Sequence, residues 1–244
     1  VLIDTGTSSD EGRGDAGRAI VVPFLQSRGI QKLDAIVLTQ ADADHCNGIP
    51  AVLREIPTDL VLDGAAFSLS THHASTHKVE EYDRAKSAWQ KRGIRSIDVR
   101  AGQKIYLGDG AVLTVLAPLA PALEGENNNA AVLRLDHGAV SFLLAADIER
   151  AGEERLLQRG AALRCTVLKV AHHGSKTSTT PEFLQRAKPQ IAVISCGRYN
   201  RFGHPAPQTM ERLQRAGVRS FRTDIHGTIE LHSDGKTLRV ETFR

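Results

Sequence analysis

The sequence of 244 residues predicts an α/β fold: a single domain of four layers, a β-sandwich with helices on both outer faces. Three observations lead there. Early in the chain, short apolar runs alternate with longer helical stretches. The middle carries a series of strands with few helices between them. The last third returns to alternation. The length suits one large α/β domain, since domains average about 150 residues and such folds often run larger.

Taken in order, residues 1–3 read as a strand, and 16–28 as an amphipathic helix ended by Gly29. Residues 35–38 are wholly apolar and strand-like, Ile49–Glu55 is a short helix, and 60–62 is a strand. The polar stretch 80–92 is helical and stops at Gly93. Strands at 97–99, 104–107, 112–117, 131–135 and Val140–Leu144 follow closely, which predicts antiparallel pairing. Then come a helix at 149–159, a strand at 165–170, a helix at Pro181–Ala187, a strand at 191–195 and a helix at 207–216. Strands at 218–221, 228–232 and 237–241 close the chain. Residues 118–129, with prolines, a glycine and three asparagines in a row, are the expected flexible loop.

Composition sets limits. Hydrophobic residues at 41% and charged residues at 24% exclude a disordered chain. No apolar run approaches the roughly 20 residues that a membrane-spanning helix needs. A net charge of +3 is too small to argue for nucleic acid by itself. Cys46, Cys165 and Cys196, without a C-x-x-C pair, exclude a disulfide framework and a thiolate zinc cluster. The start at Val1-Leu2-Ile3-Asp4, an apolar strand without Met, is what a piece of a longer protein would show.

The ten histidines are the feature to follow. Thr39-Gln40-Ala41-Asp42-Ala43-Asp44-His45 leaves the apolar strand 35–38. In an extended segment alternate side chains share a face, so Gln40, Asp42 and Asp44 converge and His45 adds a donor beside them. Carboxylate oxygens with imidazole suit Mn²⁺, Zn²⁺ or Mg²⁺. A bland reading is an acidic turn capping the next helix. His172-His173-Gly174-Ser175 ends a second apolar strand, and Asp147 ends a third. Tyr199-Asn200-Arg201-Phe202-Gly203-His204 follows a fourth, and Asp4 ends the first. Apolar strands that each end in Asp or His predict one rim where ligands meet. His72, His73 and His77 precede a polar helix and read as surface histidines. Cys46 reads as a small buried residue, and Gly108-Asp109-Gly110 as a hairpin turn. Ser175 lacks the G-x-S-x-G elbow of a serine nucleophile.

Together these residues resemble the metallo-β-lactamase superfamily, and more closely the nuclease-like domain of the ComEC competence proteins. Asp4-Thr5-Gly6 matches the family's Asp-Thr-Gly, and Gln40 to His45 its His-x-Asp-x-Asp-His loop. Asn127-Asn128-Asn129, Asp147-Ile148-Glu149 and His172-His173-Gly174-Ser175 match later signatures, as do Gly203-His204-Pro205 and Thr223-Asp224 with Gly227. The family's first strand pair, with its Val-Gly-Gln-Gly-Asp segment, has no counterpart here, in line with a piece of a longer protein. Four positions depart: Gln40 stands where His is usual, Asn47 and Ala146 where Gly is usual, and Ala130 where Ser is usual.

The resemblance implies a single metallo-β-lactamase-like hydrolase domain with two divalent ions, Mn²⁺ or Zn²⁺. Gln40 and Asp42 would serve one, Asp44 and His45 the other, with Asp147 bridging and His172 and His204 completing the set. An amide oxygen is a weaker donor than imidazole, so the Gln40 position is expected to hold metal weakly, and Gln40→His to raise metal content and turnover. Asp4, His173 and Asn127 would support the ligands from behind. Asp44 and Asp147 would orient the attacking water. Lys176, Arg198 and Arg201 would meet DNA phosphates. The implied activity is a phosphodiesterase acting on DNA, single-stranded, during competence uptake. The implied setting is the extracytoplasmic side of an inner-membrane protein whose channel domain is the partner; nothing suggests an oligomer. A DNA-guiding module without catalysis, and a hydrolase of small esters or phosphodiesters, remain open alternatives.

Overall fold

A computed structural model describes residues 1–6, 8–9, 14–71 and 76–244 of the chain, which falls into two units, Val1–Val99 and Arg100–Arg244. His72 and His73 lie outside the described residues. No helix among the described residues is long and apolar enough to cross a membrane.

The first unit is built on β1 (Leu2–Ile3), with a short pairing of β2 (Ser8–Ser9) and β3 (Gly14–Asp15) after it. A π-turn at Gly17–Val21 leads into α1 (Val22–Ser27), so the helix expected over 16–28 changes its winding at Val22, where Pro23 occupies its first turn. Then come β4 (Ile36–Leu38), α2 (Ala43–Cys46), α3 (Ile49–Glu55), β5 (Leu60–Asp63), α4 (Ala65–Thr71), α5 (Thr76–Gln90) and β6 (Arg95–Asp98). The sheet order is β1-β4-β5-β6, and every pair is parallel. β6 was expected to open the antiparallel series; instead Leu60 faces Arg95 and Asp63 faces Asp98 in parallel register. Buried apolar side chains of β4 and β5 pack with those of the helices, with Ile36, Leu38, Ile49 and Trp89 almost wholly buried. Fully buried strands read as unbroken apolar runs, which is why this sheet was visible in the sequence.

The second unit contains β7 (Lys104–Gly108), β8 (Ala111–Val115), β9 (Leu133–His137), β10 (Val140–Leu144), α6 (Arg150–Gln158), β11 (Val167–Lys169), α7 (Pro181–Ala187), β12 (Ile191–Ile194), α8 (Pro207–Arg215) and β13 (Arg219–Arg222). A short α9 (Thr223–His226) and the hairpin β14 (Thr228–Ser233) with β15 (Leu238–Phe243) end it. Its main sheet runs β13-β12-β11-β10-β9-β8-β7. β7 to β10 pair antiparallel, as the closely spaced strands predicted, while β10 to β13 are parallel. Asp109 and Gly110, both at positive φ, turn the β7–β8 hairpin. The 118–129 segment is tied down rather than loose. Asn129 bonds the backbone of Leu123 and Gly125, and Arg155 and Arg159 bond the carbonyls of Pro121 and Ala120.

Candidate metal centre

In the first unit the site grows from the C-terminal end of β4, where parallel-sheet proteins commonly place their ligands. Thr39, just past the strand, donates its N–H to Oδ1 of Asp4 and its hydroxyl to Oδ2, both at 2.8 Å. The same Oδ2 lies 2.8 Å from Nδ1 of His45. An imidazole that donates Nδ1–H to a carboxylate carries its lone pair on Nε2, the form a metal requires. His45 is 2% exposed, and its carbonyl accepts from the N–H and hydroxyl of Thr5. Its Nε2 lies 3.8 Å from Oδ2 of the half-exposed Asp44.

The loop is not extended throughout. Asp42 has extended backbone, but α2 begins at Ala43, so Asp44 and His45 project from helical backbone and the expected alternating face of Gln40, Asp42 and Asp44 ends at Asp42. Gln40 donates from Nε2 to Oδ2 of Asp42 at 3.1 Å, and Nζ of Lys78, on α5, sits 2.6 Å from Oδ1 of Asp42. The helix stays close to β1 because Gly48 and Gly17 lack side chains. A Cβ on Gly48 would fall 2.3 Å from the carbonyl oxygen of Thr5, and one on Gly17 2.4 Å from that of Gly48. Cys46 is buried with its Sγ on the carbonyl of Ala41, and burial pushes its thiol up to about 12.

In the second unit the donors sit past the C-terminal ends of β10, β11 and β12, which are parallel neighbours. Asp147 is 3% exposed, and His172 donates its N–H to the carbonyl of Ala146, fixing one loop on the other. His173 rather than His172 faces Asp147: its Nε2 lies 3.4 Å from Oδ2. The other ring nitrogen of His173 is 2.7 Å from the carbonyl of Ser195. His172 turns its Nδ1 to Oε1 of Glu149 at 3.3 Å, and its ring meets that of His204 at 5.7 Å. Nδ1 of His204 is buried with no hydrogen-bond partner. Burial, then the neighbouring His172 and His173, holds the His204 imidazole below its usual range. Ala146, His172 and His173 all have positive φ, a costly backbone form for residues other than glycine that gathers at functional sites.

Sequence reasoning missed Lys78, Lys169 and Glu149. Lys169 has its Nζ 4.0 Å from Oδ1 of Asp147, and the signal for it was a lysine inside an otherwise apolar strand. Asn127 offers its carbonyl to Ala130, while the side-chain work falls to Asn128, whose Oδ1 accepts from the N–H groups of Glu149 and Gly152. Lys176, Arg198 and Arg201 are exposed. Arg198 reaches the carbonyl of Asp224 at 3.4 Å.

These residues fit a divalent ion. Each unit offers carboxylate oxygens and imidazole nitrogens: in the first, Nδ1 of His45 faces a carboxylate, leaving Nε2 as its acceptor, and in the second, His204 carries a buried nitrogen with no hydrogen-bond partner. Parallel-strand ends bearing Asp and His define a class of metal-site α/β proteins, and residues 1–198 match the metallo-β-lactamase superfamily. The chain belongs to that superfamily.

Among curated relatives it is 35% identical over 252 residues to ComE operon protein 3 of Bacillus subtilis, covering 100% of this chain and 31% of that protein. It is 29% identical over 231 residues to competence protein ComA of Neisseria gonorrhoeae, covering 94% of this chain and 29% of that one. The chain thus spans about a third of these relatives' length. Among solved structures, the metal-dependent hydrolase Tm1679 of the β-lactamase superfamily shares the fold, with a TM-score of 0.51 at 10% identity over 91% of this chain and 94% of that one.

Proposed function

We propose that the chain is a metal-dependent phosphodiesterase that cleaves single-stranded DNA. In the first unit Asp44 and His45 are the proposed ligands; in the second, Asp147, His173 and His204 are, with His172 beside them. A bound divalent ion supplies Lewis acidity toward a phosphoryl oxygen and acidifies water. The chain's own part is to hold that chemistry in place. Asp4 fixes the tautomer of His45. Asp147, almost wholly buried, is the proposed group that orients a water in the second unit, and the more exposed Asp44 is proposed for that role in the first.

The loop that carries His204 favours nucleic acid over a small ester. Tyr199 is 87% exposed and Phe202 69% exposed. The Phe202 ring stacks on His204 at 5.9 Å and 20°, and the guanidinium of Arg201 lies 5.2 Å from the centre of the same Phe202 ring. Asn200 holds the loop, accepting from the N–H of His204 and donating to the carbonyls of Gly197 and His204. Exposed aromatic rings interleaved with arginines suit unpaired bases and their phosphates, because bases stack on rings while cations neutralise the backbone. Lys176, Arg198 and Arg201 are the proposed phosphate contacts. The name of the Neisseria relative, a competence protein, supports a competence-related role, within which DNA uptake is the proposed setting.

The test is cleavage of end-labelled single-stranded DNA with Mn²⁺ or Zn²⁺ added and with chelator, beside duplex DNA, a lactone and a small phosphodiester. Metal-dependent cleavage of the single strand is expected. Binding without cleavage would favour a DNA-guiding module, and turnover of the small ester alone a different substrate class; either result overturns the proposal.

A further inference from the structure

We propose that Lys78 closes the Gln40–Asp42 position to metal, so that the first unit presents a single-ion site on Asp44 and His45, with the lysine ammonium as a built-in second cation. This rests on the metal-dependent reading above and deepens it.

Both carboxylate oxygens of Asp42 are engaged. Oδ1 is 2.6 Å from the Lys78 ammonium, and Oδ2 accepts from the Gln40 amide at 3.1 Å. Lys78 is not an unanchored surface chain. It lies on α5, which is tied to the metal loop one turn further on, where Glu81 accepts from Nδ2 of Asn47 at 3.0 Å. The same helix is fixed to β5 by the Tyr82 hydroxyl, which donates to Oδ2 of Asp63 at 2.7 Å. Glu81 is 5% exposed and Tyr82 5%, so this anchorage is buried.

Gln40 and Lys78 are chemically consistent with each other. Where an ammonium neutralises Asp42, a neighbouring group does best by donating a hydrogen bond to the carboxylate, and an amide N–H does so. A metal would ask the opposite of residue 40, a lone pair aimed at the ion beside a carboxylate with a free oxygen. The remaining oxygen of Gln40 is buried without a hydrogen-bond partner, but as a lone neutral donor it does not make a divalent site. A lysine ammonium is a compact point charge and can sit where a cation is needed without loss on chelation.

The experiment is metal counting on the whole chain, stripped with chelator, titrated with Mn²⁺ and desalted, with elemental analysis and the Mn²⁺ spin-resonance spectrum as readouts. Gln40→His alone and Gln40→His with Lys78→Arg, which keeps the cation, should take up no more ions than the chain as it stands, contrary to the expectation from the sequence that Gln40→His by itself raises the metal content. Gln40→His with Lys78→Met should take up about one ion more per chain, with an exchange-coupled spectrum typical of paired ions. Thermal melts of each variant show that the folds are equal. An additional ion in Gln40→His alone or in the Gln40→His, Lys78→Arg variant, or no additional ion in the Gln40→His, Lys78→Met variant, would each overturn the proposal. No uptake by the parent would fail the metal-dependent reading itself, a separate and recognisable result that removes this inference with it.

Discussion

Oδ2 of Asp4 and Nδ1 of His45 are 2.8 Å apart, and the same oxygen holds the Thr39 hydroxyl at 2.8 Å. The carboxylate therefore fixes the ring's tautomer and its direction at once. Asp4→Asn keeps the shape but replaces one acceptor by an N–H that opposes the Nδ1 proton. Metal affinity should fall about 10–100-fold, the usual cost of losing such a partner. Competition against a chelator of known affinity measures it, with an unchanged melting temperature in metal-free buffer as the control for folding.

Gly48 marks a backbone crossing. A Cβ there would meet the Thr5 carbonyl oxygen at 2.3 Å, and that atom belongs to backbone already bonded to His45. Neither side can give without moving β1 or α2. Gly48→Ala should cost about 3 kcal/mol of stability, at the upper end of overpacking penalties, and weaken metal binding as His45 shifts. Urea unfolding gives the first number, and metal titration the second.

Ala146 sits at φ 46, between β10 and Asp147, where the resembling family has glycine. A left-handed backbone costs alanine about 1 kcal/mol or more, while glycine adopts it freely at the expense of a more flexible unfolded chain. Ala146→Gly should be neutral to stabilising by about 0.5–1 kcal/mol, although most substitutions to glycine are harmful. Thermal or urea unfolding decides this; a loss of 1 kcal/mol or so would show that the Ala146 methyl packs too well to remove.

Asp224 is gripped by Arg222, with Nη2–Oδ2 at 2.6 Å and Nε–Oδ1 at 3.0 Å. The Arg222 hydrogen bonds, aided by Cys196, hold its carboxyl below the usual carboxylate range. Since the folded form resists protonation more than the unfolded one, this pair stabilises the fold at pH above about 4 and loses that contribution as the pH falls below the unfolded value. The stability difference between the parent and Asp224→Asn should therefore shrink on acidification from pH 6 toward pH 3. A difference that stays constant across that range would contradict the assignment.

The resemblance and the residue pattern reached different depths. The α/β class and the Asp- and His-bearing strand ends were legible because buried strands leave apolar runs, and polar residues after them stand out; that the strands pair in parallel was not. The direction of β6 was not legible, since alternation along Arg95–Asp98 says nothing about which neighbour it joins. The roles of His172 and His173 could not be separated either. Both lie at positive φ, 49° and 53°, so the alternation rule for strands does not hold there. Lys78 was invisible for another reason: it comes from a helix far along the chain, and its partner Asp42 looks like a metal ligand in any local reading.

The most direct measurement is Mn²⁺-dependent cleavage of single-stranded DNA by the chain and by Asp44→Ala, each also assayed for bound metal. The parent should cleave and stop with chelator, and Asp44→Ala should fold but hold less metal and have lost cleavage. An Asp44→Ala variant that cleaves as fast as the parent would contradict the proposed function.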